Sequence, residues 1–222
     1  MKSSGNRRGG RSAFTLIELL VVVGLIAIIA VAVGIASPSS SASLGSAVRI
    51  AGAMAKMARS EAVVHGTDAR LLILKTAQAE EDNNTKRLRS LIVVYKQVNE
   101  DGTSGWVASY TMDVLPAGVF FHEELSTRSA AELSLPKTMR FSLETNELQD
   151  GNTGDEYYYY SFTASGLTEE NAGSILVFCN AELLGPGDIK FNITDISGFM
   201  LHRLGSVSVA ENVDDLTIRK KS

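Results

Sequence analysis

Hydrophobic and polar positions follow three successive rhythms along the chain. From Phe14 to Ala36 nearly every side chain is apolar, and Glu18 is the one charge among them. As a helix rising ~1.5 Å per residue this stretch spans roughly 35 Å, enough to cross a ~30 Å hydrocarbon core. From Leu44 the apolar positions Leu44, Val48, Ala51, Ala55, Ala58 and Ala62 recur in steps of four and three, with Ile50 and Met54 widening the stripe. That spacing predicts an amphipathic helix with a buried face of small residues that lets a sheet or helix approach closely. Pro38 predicts a kink or unwound turn at Ser37–Pro38 between the two helical stretches, and Gly66 suits a C-terminal cap.

After Gly66 the period shortens to two. Strands are predicted at Asp68 to Thr76, Leu88 to Val98, Gly105 to Met112, Gly118 to Phe121, Met139 to Leu143, Tyr157 to Thr163, Ser174 to Cys179, Asp188 to Thr194 and Gly198 to Leu204. "NEDGTSG" between two of them is a hairpin signal, because Asp and Gly tolerate positive φ, and "AQAEEDNNTKR" reads as a solvated strand connection. The fold class expected is α+β, a long N-terminal helix packed on antiparallel β-sheets. The run Tyr157 to Tyr160 should put two rings in the core and two in solvent, since neighbours in a strand face opposite sides.

Charge divides the chain as sharply as hydropathy does. Residues 1–13 hold four of the 21 basic residues and none of the 25 acidic ones. Everything after them is therefore acidic, which argues against a nucleic-acid surface, since phosphate binding needs a concentrated basic stripe. With basic residues before the apolar segment and no charge between Glu18 and Arg49, the N-terminus is expected in the cytoplasm and the C-terminal body outside it.

Three processing readings compete. A secretory signal cut near Ala36 would need a shorter apolar centre without Glu18. A twin-arginine signal is disfavoured because two glycines follow Arg7 and Arg8. A plain membrane anchor accounts for the length but leaves Glu18 unexplained, since a carboxylate at mid-helix costs ~2.5 to 3.5 kcal/mol and is usually paired or functional.

"FTLIELLVVVGLIAIIA", preceded by a short basic leader ending in a small residue, resembles the N-terminus of type IV prepilins and of type II secretion pseudopilins. The resemblance implies that a prepilin peptidase cuts between Ala13 and Phe14, that Phe14 becomes an N-methylated terminus, and that Glu18 is the family's buried glutamate. Ala13 departs from the Gly usual before the cut, which puts the speed of processing in question. Cleavage would expose a cationic amine on Phe14, and side-by-side packing with a small axial offset would let Glu18 of one subunit meet the amine of its neighbour. Further on, "MAKMARSEAVVHGTDARLLIL" is similar to the helix end and first strand of the minor pseudopilin H group, which includes FimT-like minor pilins.

Beyond these segments the sequence holds few residues in patterns that carry chemistry. His65, His122 and His202 lie in no metal-ligand spacing, which favours surface or capping roles. "FTASG" around Ser165 lacks a nucleophile-elbow pattern, and Cys179, the single cysteine, is best placed as a small buried apolar residue. "QDGNTGDE" sets Asp150, Asn152, Asp155 and Glu156 on a glycine-containing loop, an oxygen-donor set that calcium could use, although the spacing is not an EF-hand. Some pseudopilin families bind calcium in a C-terminal loop; a plain turn is the alternative.

The expected organisation is a leader at 1–13 that is removed, a transmembrane and filament-core helix at 14–36, its amphipathic continuation at 37–66 and a β-rich periplasmic body at 67–222. The chain reads as a non-enzymatic, single-pass inner-membrane subunit without a cofactor, calcium apart. Its expected partners are the prepilin peptidase, other pilin or pseudopilin subunits, membrane lipid and secreted cargo, but not nucleic acid. A minor pseudopilin of a type II secretion system is the leading reading. A FimT-like minor type IV pilin, or an anchored or secreted binding module with no filament role, stands beside it.

Overall fold

The computed structural model describes residues 16–17, 19–23, 40–109, 112–129, 134–145, 147–170, 173–185 and 188–210. Two compact units divide the chain, residues 1–39 and 40–222. In the first, residues 16–17 and 19–23 are helical. The expected break at Ser37–Pro38 lies outside the described residues.

The second unit opens with helix α1, Ser40–His65. Leu44, Val48, Ala51, Ala55, Ala58 and Ala62 are all buried, as the spacing predicts, together with Ala47 and Met54. The helix ends at Gly66, whose φ of +62° is the left-handed conformation a glycine adopts without a Cβ penalty. The Thr67 N–H then donates to the Ala62 carbonyl at 3.2 Å, the long reverse bond of a Schellman cap.

Among the described residues ten strands follow, with one short helix, α2 (Glu80–Thr85), between the first two: β1 (Ala69–Thr76), β2 (Ser90–Val98), β3 (Ser104–Ala108), β4 (Asp113–Val114), β5 (Val119–Phe121), β6 (Lys137–Phe141), β7 (Asp155–Phe162), β8 (Ser174–Gly185), β9 (Asp188–Leu201) and β10 (Val207–Ala210). One sheet has the order β3-β2-β1-β7-β6 with β4 added beside β2; the other has the order β10-β9-β8-β5. Every named pairing is antiparallel. Helix α1 contacts strands of both sheets.

The central ladder settles which side chains meet that helix. Leu71 stands opposite Val93 and Tyr160, and Ile73 opposite Leu91 and Tyr158, and all six belong to the cluster that includes the α1 stripe. The alternate set, Leu72, Leu74, Ile92, Val94 and Tyr157, forms a second cluster on the other face with Trp106, Met139 and Phe141. Both faces of this sheet are thus apolar and covered, and that corrects the expectation for the tyrosine run. Tyr157, Tyr158 and Tyr160 are buried and Tyr159 is half-buried, packed against the second cluster.

Other departures are local. The connection at residues 77–87 contains α2, and Leu88, expected in a strand, sits instead at φ +55° with β2 starting at Ser90. The last two expected strands are one, β9, and β10 follows it on the edge. The pairing Cys179↔Ile196 gives way directly to Asn180↔Asn192, so Ile193, Thr194 and Asp195 bulge out of the ladder instead of ending the strand. The "NEDGTSG" hairpin forms as expected, with the Asn99 N–H bonded to the Thr103 carbonyl at 2.8 Å and Asp101 Oδ1 accepting from the Thr103 N–H at 2.9 Å.

Candidate functional site

The first candidate is the apolar N-terminal segment. Leu16, Ile17, Leu19, Leu20, Val21, Val22 and Val23 are between 45% and 81% exposed. Successive helical residues point in all directions around the axis, so the apolar surface is a whole circumference and not a stripe. Such a surface needs lipid or other protein to cover it. Ala13, Phe14 and Glu18, the residues expected at the cleavage junction and the assembly contact, lie outside the described residues. Among the described residues no helix is long and apolar enough to cross a membrane.

The body brings few reactive groups together. His65 stacks on Tyr95 with ring centres 3.9 Å apart and lies 3.1 Å from Glu61, one turn earlier on α1. His122 is buried, not at the surface; its Nδ1 accepts from the Leu125 N–H at 3.3 Å and its ring packs on Phe191, so the capping half of its expected role is the one observed. His202 shares a hydrogen bond with the Ser208 hydroxyl at 2.7 Å. Ser165 Oγ shares a hydrogen bond with the neighbouring Thr163 hydroxyl at 3.0 Å, within a turn. Cys179 is fully buried, and burial, helped by Asp195, pushes its thiol up to about 12, which leaves it a packed apolar group as expected.

The four calcium candidates face different partners. Asp150 accepts from the Asn152 N–H at 2.9 Å and from its side-chain amide at 3.1 Å, and these bonds hold its carboxyl below the usual range. Asp155 and Glu156 do not lie on the loop but open strand β7. Asp155 accepts from the Gln78 N–H at 2.8 Å, and Glu156 pairs with Lys75 at 3.0 Å, so successive strand residues project to different surroundings. Among the described residues no group of three or more His, Cys, Asp or Glu is placed to hold a metal ion.

What the sequence did not reveal is a cleft of about 430 Å³ at the end of β1 and the start of β7. Its walls come from the α2 region, the segment after β6 and Met112, segments far apart in sequence. Gly154 lines it at φ +96°, its Cα so close to Phe141 that an added Cβ would stand 2.5 Å from the Phe141 carbonyl.

Comparison with known proteins adds a motif and one similar solved structure. Residues 8–34 match the prokaryotic N-terminal methylation motif, which places the match on the basic leader and the apolar segment. The chain therefore carries an N-terminal methylation motif. Among solved structures it is similar to the type IV minor pilin FimU of Pseudomonas aeruginosa, strain PAO1, at 15% identity over 75% of this chain and 87% of that one, with a TM-score of 0.37. No curated protein matches the chain.

Proposed function

We propose that the chain is a structural subunit of a type IV pilus-like filament, and more narrowly a minor pseudopilin of the H type in a type II secretion machine. The observation that carries the reading is the methylation motif at residues 8–34 on a segment whose described residues expose apolar side chains around the full helix. In this account the prepilin peptidase removes residues 1–13, Phe14 becomes the methylated terminus, and Glu18 pairs with the terminal amine of the next subunit. Each charge then meets its partner in a low-dielectric surround, where an unpaired carboxylate would cost ~2.5 to 3.5 kcal/mol. The helix packs in the filament core and the body of residues 40–222 presents surface to neighbouring subunits or cargo. A minor type IV pilin would share the N-terminal chemistry and differ in the machine that takes it up.

Co-expression with a prepilin peptidase tests the proposal. The expected product, by intact mass and N-terminal sequencing, begins at methylated Phe14; a chain left whole, beside a prepilin that is processed, would refute it. Glu18→Ala should be cut and exported as the parent is, yet be missing from sheared filaments. Normal incorporation of that variant would remove the pairing step from the mechanism. Retention with secretion-system subunits, as opposed to pilus subunits, separates the two machines.

A further inference from the structure

The sequence holds the pattern Asn-x-Thr at two places, Asn83-Asn84-Thr85 and Asn192-Ile193-Thr194. In an exported chain this pattern is the acceptor signal for an N-linked sugar, and it is used where the segment lies at the surface. The fold treats the two places differently. Residues 83–85 end helix α2 (Glu80–Thr85). Residues two apart on a helix do not face each other, and the Thr85 hydroxyl donates instead to the Glu81 carbonyl at 3.0 Å.

Asn192, Ile193 and Thr194 are all exposed, where β9 bulges from its ladder with β8. Here the Thr194 hydroxyl donates to Asn192 Oδ1 at 2.7 Å, and the Thr194 N–H donates to the same oxygen at 3.3 Å. A backbone N–H can only donate, so the atom held in the bend is the amide oxygen, and the planar amide then directs Nδ2 out of it. Asp195 accepts from the Asn180 side-chain amide and ties the far end of the bulge to β8. Strand β10 pairs only with residues 198–201 of β9. Among the described residues no strand therefore lies beside residues 192–194 on the side away from β8, and an enzyme can reach them there.

We propose that Asn192 is the acceptor of an N-linked glycan, transferred from a polyprenyl-diphosphate-linked oligosaccharide by a membrane oligosaccharyltransferase. The Asn192 amide nitrogen bonds to the anomeric carbon of the sugar as that carbon's bond to the diphosphate oxygen breaks. The amide loses one N–H proton and the polyprenyl diphosphate leaves with the bonding pair, so neither oxidant nor reductant is needed. An amide nitrogen is a poor nucleophile because its lone pair is shared with the carbonyl, so it reacts as its proton is lost. A hydroxyl donating to the carbonyl oxygen favours that loss, and a bend already formed leaves less ordering to the enzyme. Attached there, the sugar would cover Ile193 and the open edge of β9, which otherwise invites pairing with another strand. The inference rests on the filament reading for export of the body, though not for the geometry of the acceptor.

The test uses the full-length protein in detergent micelles, a polyprenyl-diphosphate-linked oligosaccharide and an oligosaccharyltransferase chosen because it modifies the free peptide FNITDIS. Mass spectrometry should find one glycan on the tryptic peptide of residues 191–203 and none on that of residues 76–86, which holds Asn83. Thr194→Ala should lower the occupancy of Asn192 at least about tenfold, whereas Thr194→Ser, which retains the hydroxyl, should keep most of it. Asn192→Gln should carry no glycan and unfold at the parent's midpoint, because the site is exposed. A bare Asn192 in the folded protein, modification of Asn83 as fully as Asn192, or parental occupancy in Thr194→Ala would overturn the proposal. If the prepilin peptidase processes the chain yet Asn192 stays bare, the acceptor site alone is lost. If the chain is never processed but Asn192 takes the glycan, the site stands and the filament reading falls.

Discussion

At Gly154 the backbone and its surroundings both forbid a side chain. The residue sits at φ +96°, and a Cβ would lie 2.5 Å from the carbonyl carbon and oxygen of Phe141. Gly154→Ala should therefore lose about 1–3 kcal/mol from backbone strain, with a further loss from the displaced β6 end. Urea unfolding of the pair of proteins would read this as a lower midpoint with the same slope; an unchanged midpoint would show that the turn relaxes. The glycine is visible in "QDGNTGDE" as a turn residue, but its reason is not, because Phe141 reaches it only through the β6–β7 pairing of Phe141 with Asp155. The tyrosine run shows the same limit. Alternation along Tyr157–Tyr160 is correct, but a period of two says which residues share a face and not whether the far face is wet. Here Arg70 closes that face, its guanidinium 4.0 Å from the Trp106 ring centre and 4.1 Å from that of Tyr159, a stack that no local pattern announces.

Helix α1 was the most legible element, because its signal is repeated over 26 residues and each repeat adds to the same stripe. The small side chains on that stripe set the distance to the sheets. Ala58 is 0% exposed while Ala53 faces solvent on the same helix. Ala58→Leu should destabilise by about 1–3 kcal/mol, because the added carbons meet close-packed neighbours that must move. Ala53→Leu should stay within about 0.5 kcal/mol of the parent. Thermal melts of the two variants decide it, and equal effects would mean that the stripe is not the packing face. Shorter elements escaped the sequence reading for physical reasons. Helix α2 has six residues and an acidic first turn but no side-chain cap from Ala79, so neither periodicity nor a capping signal marks it. Strand β10 is four residues long and exists by pairing Val207–Ala210 with Leu201–Gly198, a partner it cannot be assigned without. The cleft was hidden for the same reason, since no stretch of chain contains more than part of its wall.

For the whole molecule, the buried titratable groups make stability depend on pH in a lopsided way. Burial raises the phenols of Tyr157, Tyr158 and Tyr160 above their ordinary value, and burial likewise pushes Cys179 up to about 12. On the acid side, Glu156 is held below the usual carboxylate range by its hydrogen bond from Lys75, and Glu169 by one from Lys137. The signs follow from which state binds more protons. Above the ordinary thiol value of ~8.5, and more so above the ordinary phenol value of ~10, the unfolded chain gives up protons that the folded chain keeps, so stability falls as pH rises. Each such group adds about 1.4 kcal/mol per pH unit to that slope, and three tyrosines act together. The depressed carboxylates act in the opposite sense: their contribution is present above the usual carboxylate range and fades as pH drops through it. Lys137–Glu169 is a surface pair and Lys75–Glu156 a partly exposed one, each worth only ~0.2–1 kcal/mol, so the acid limb should be shallow. Unfolding free energies measured by urea from about pH 4 to pH 11 should show a broad plateau, a gentle acid decline and a steep alkaline fall. Tyrosinate absorbance followed through the alkaline limb should appear only as the protein unfolds for the three buried rings. Gradual ionisation of all the tyrosines before unfolding would mean that the two apolar faces of the central sheet are open to water, contrary to the double-covered architecture described above.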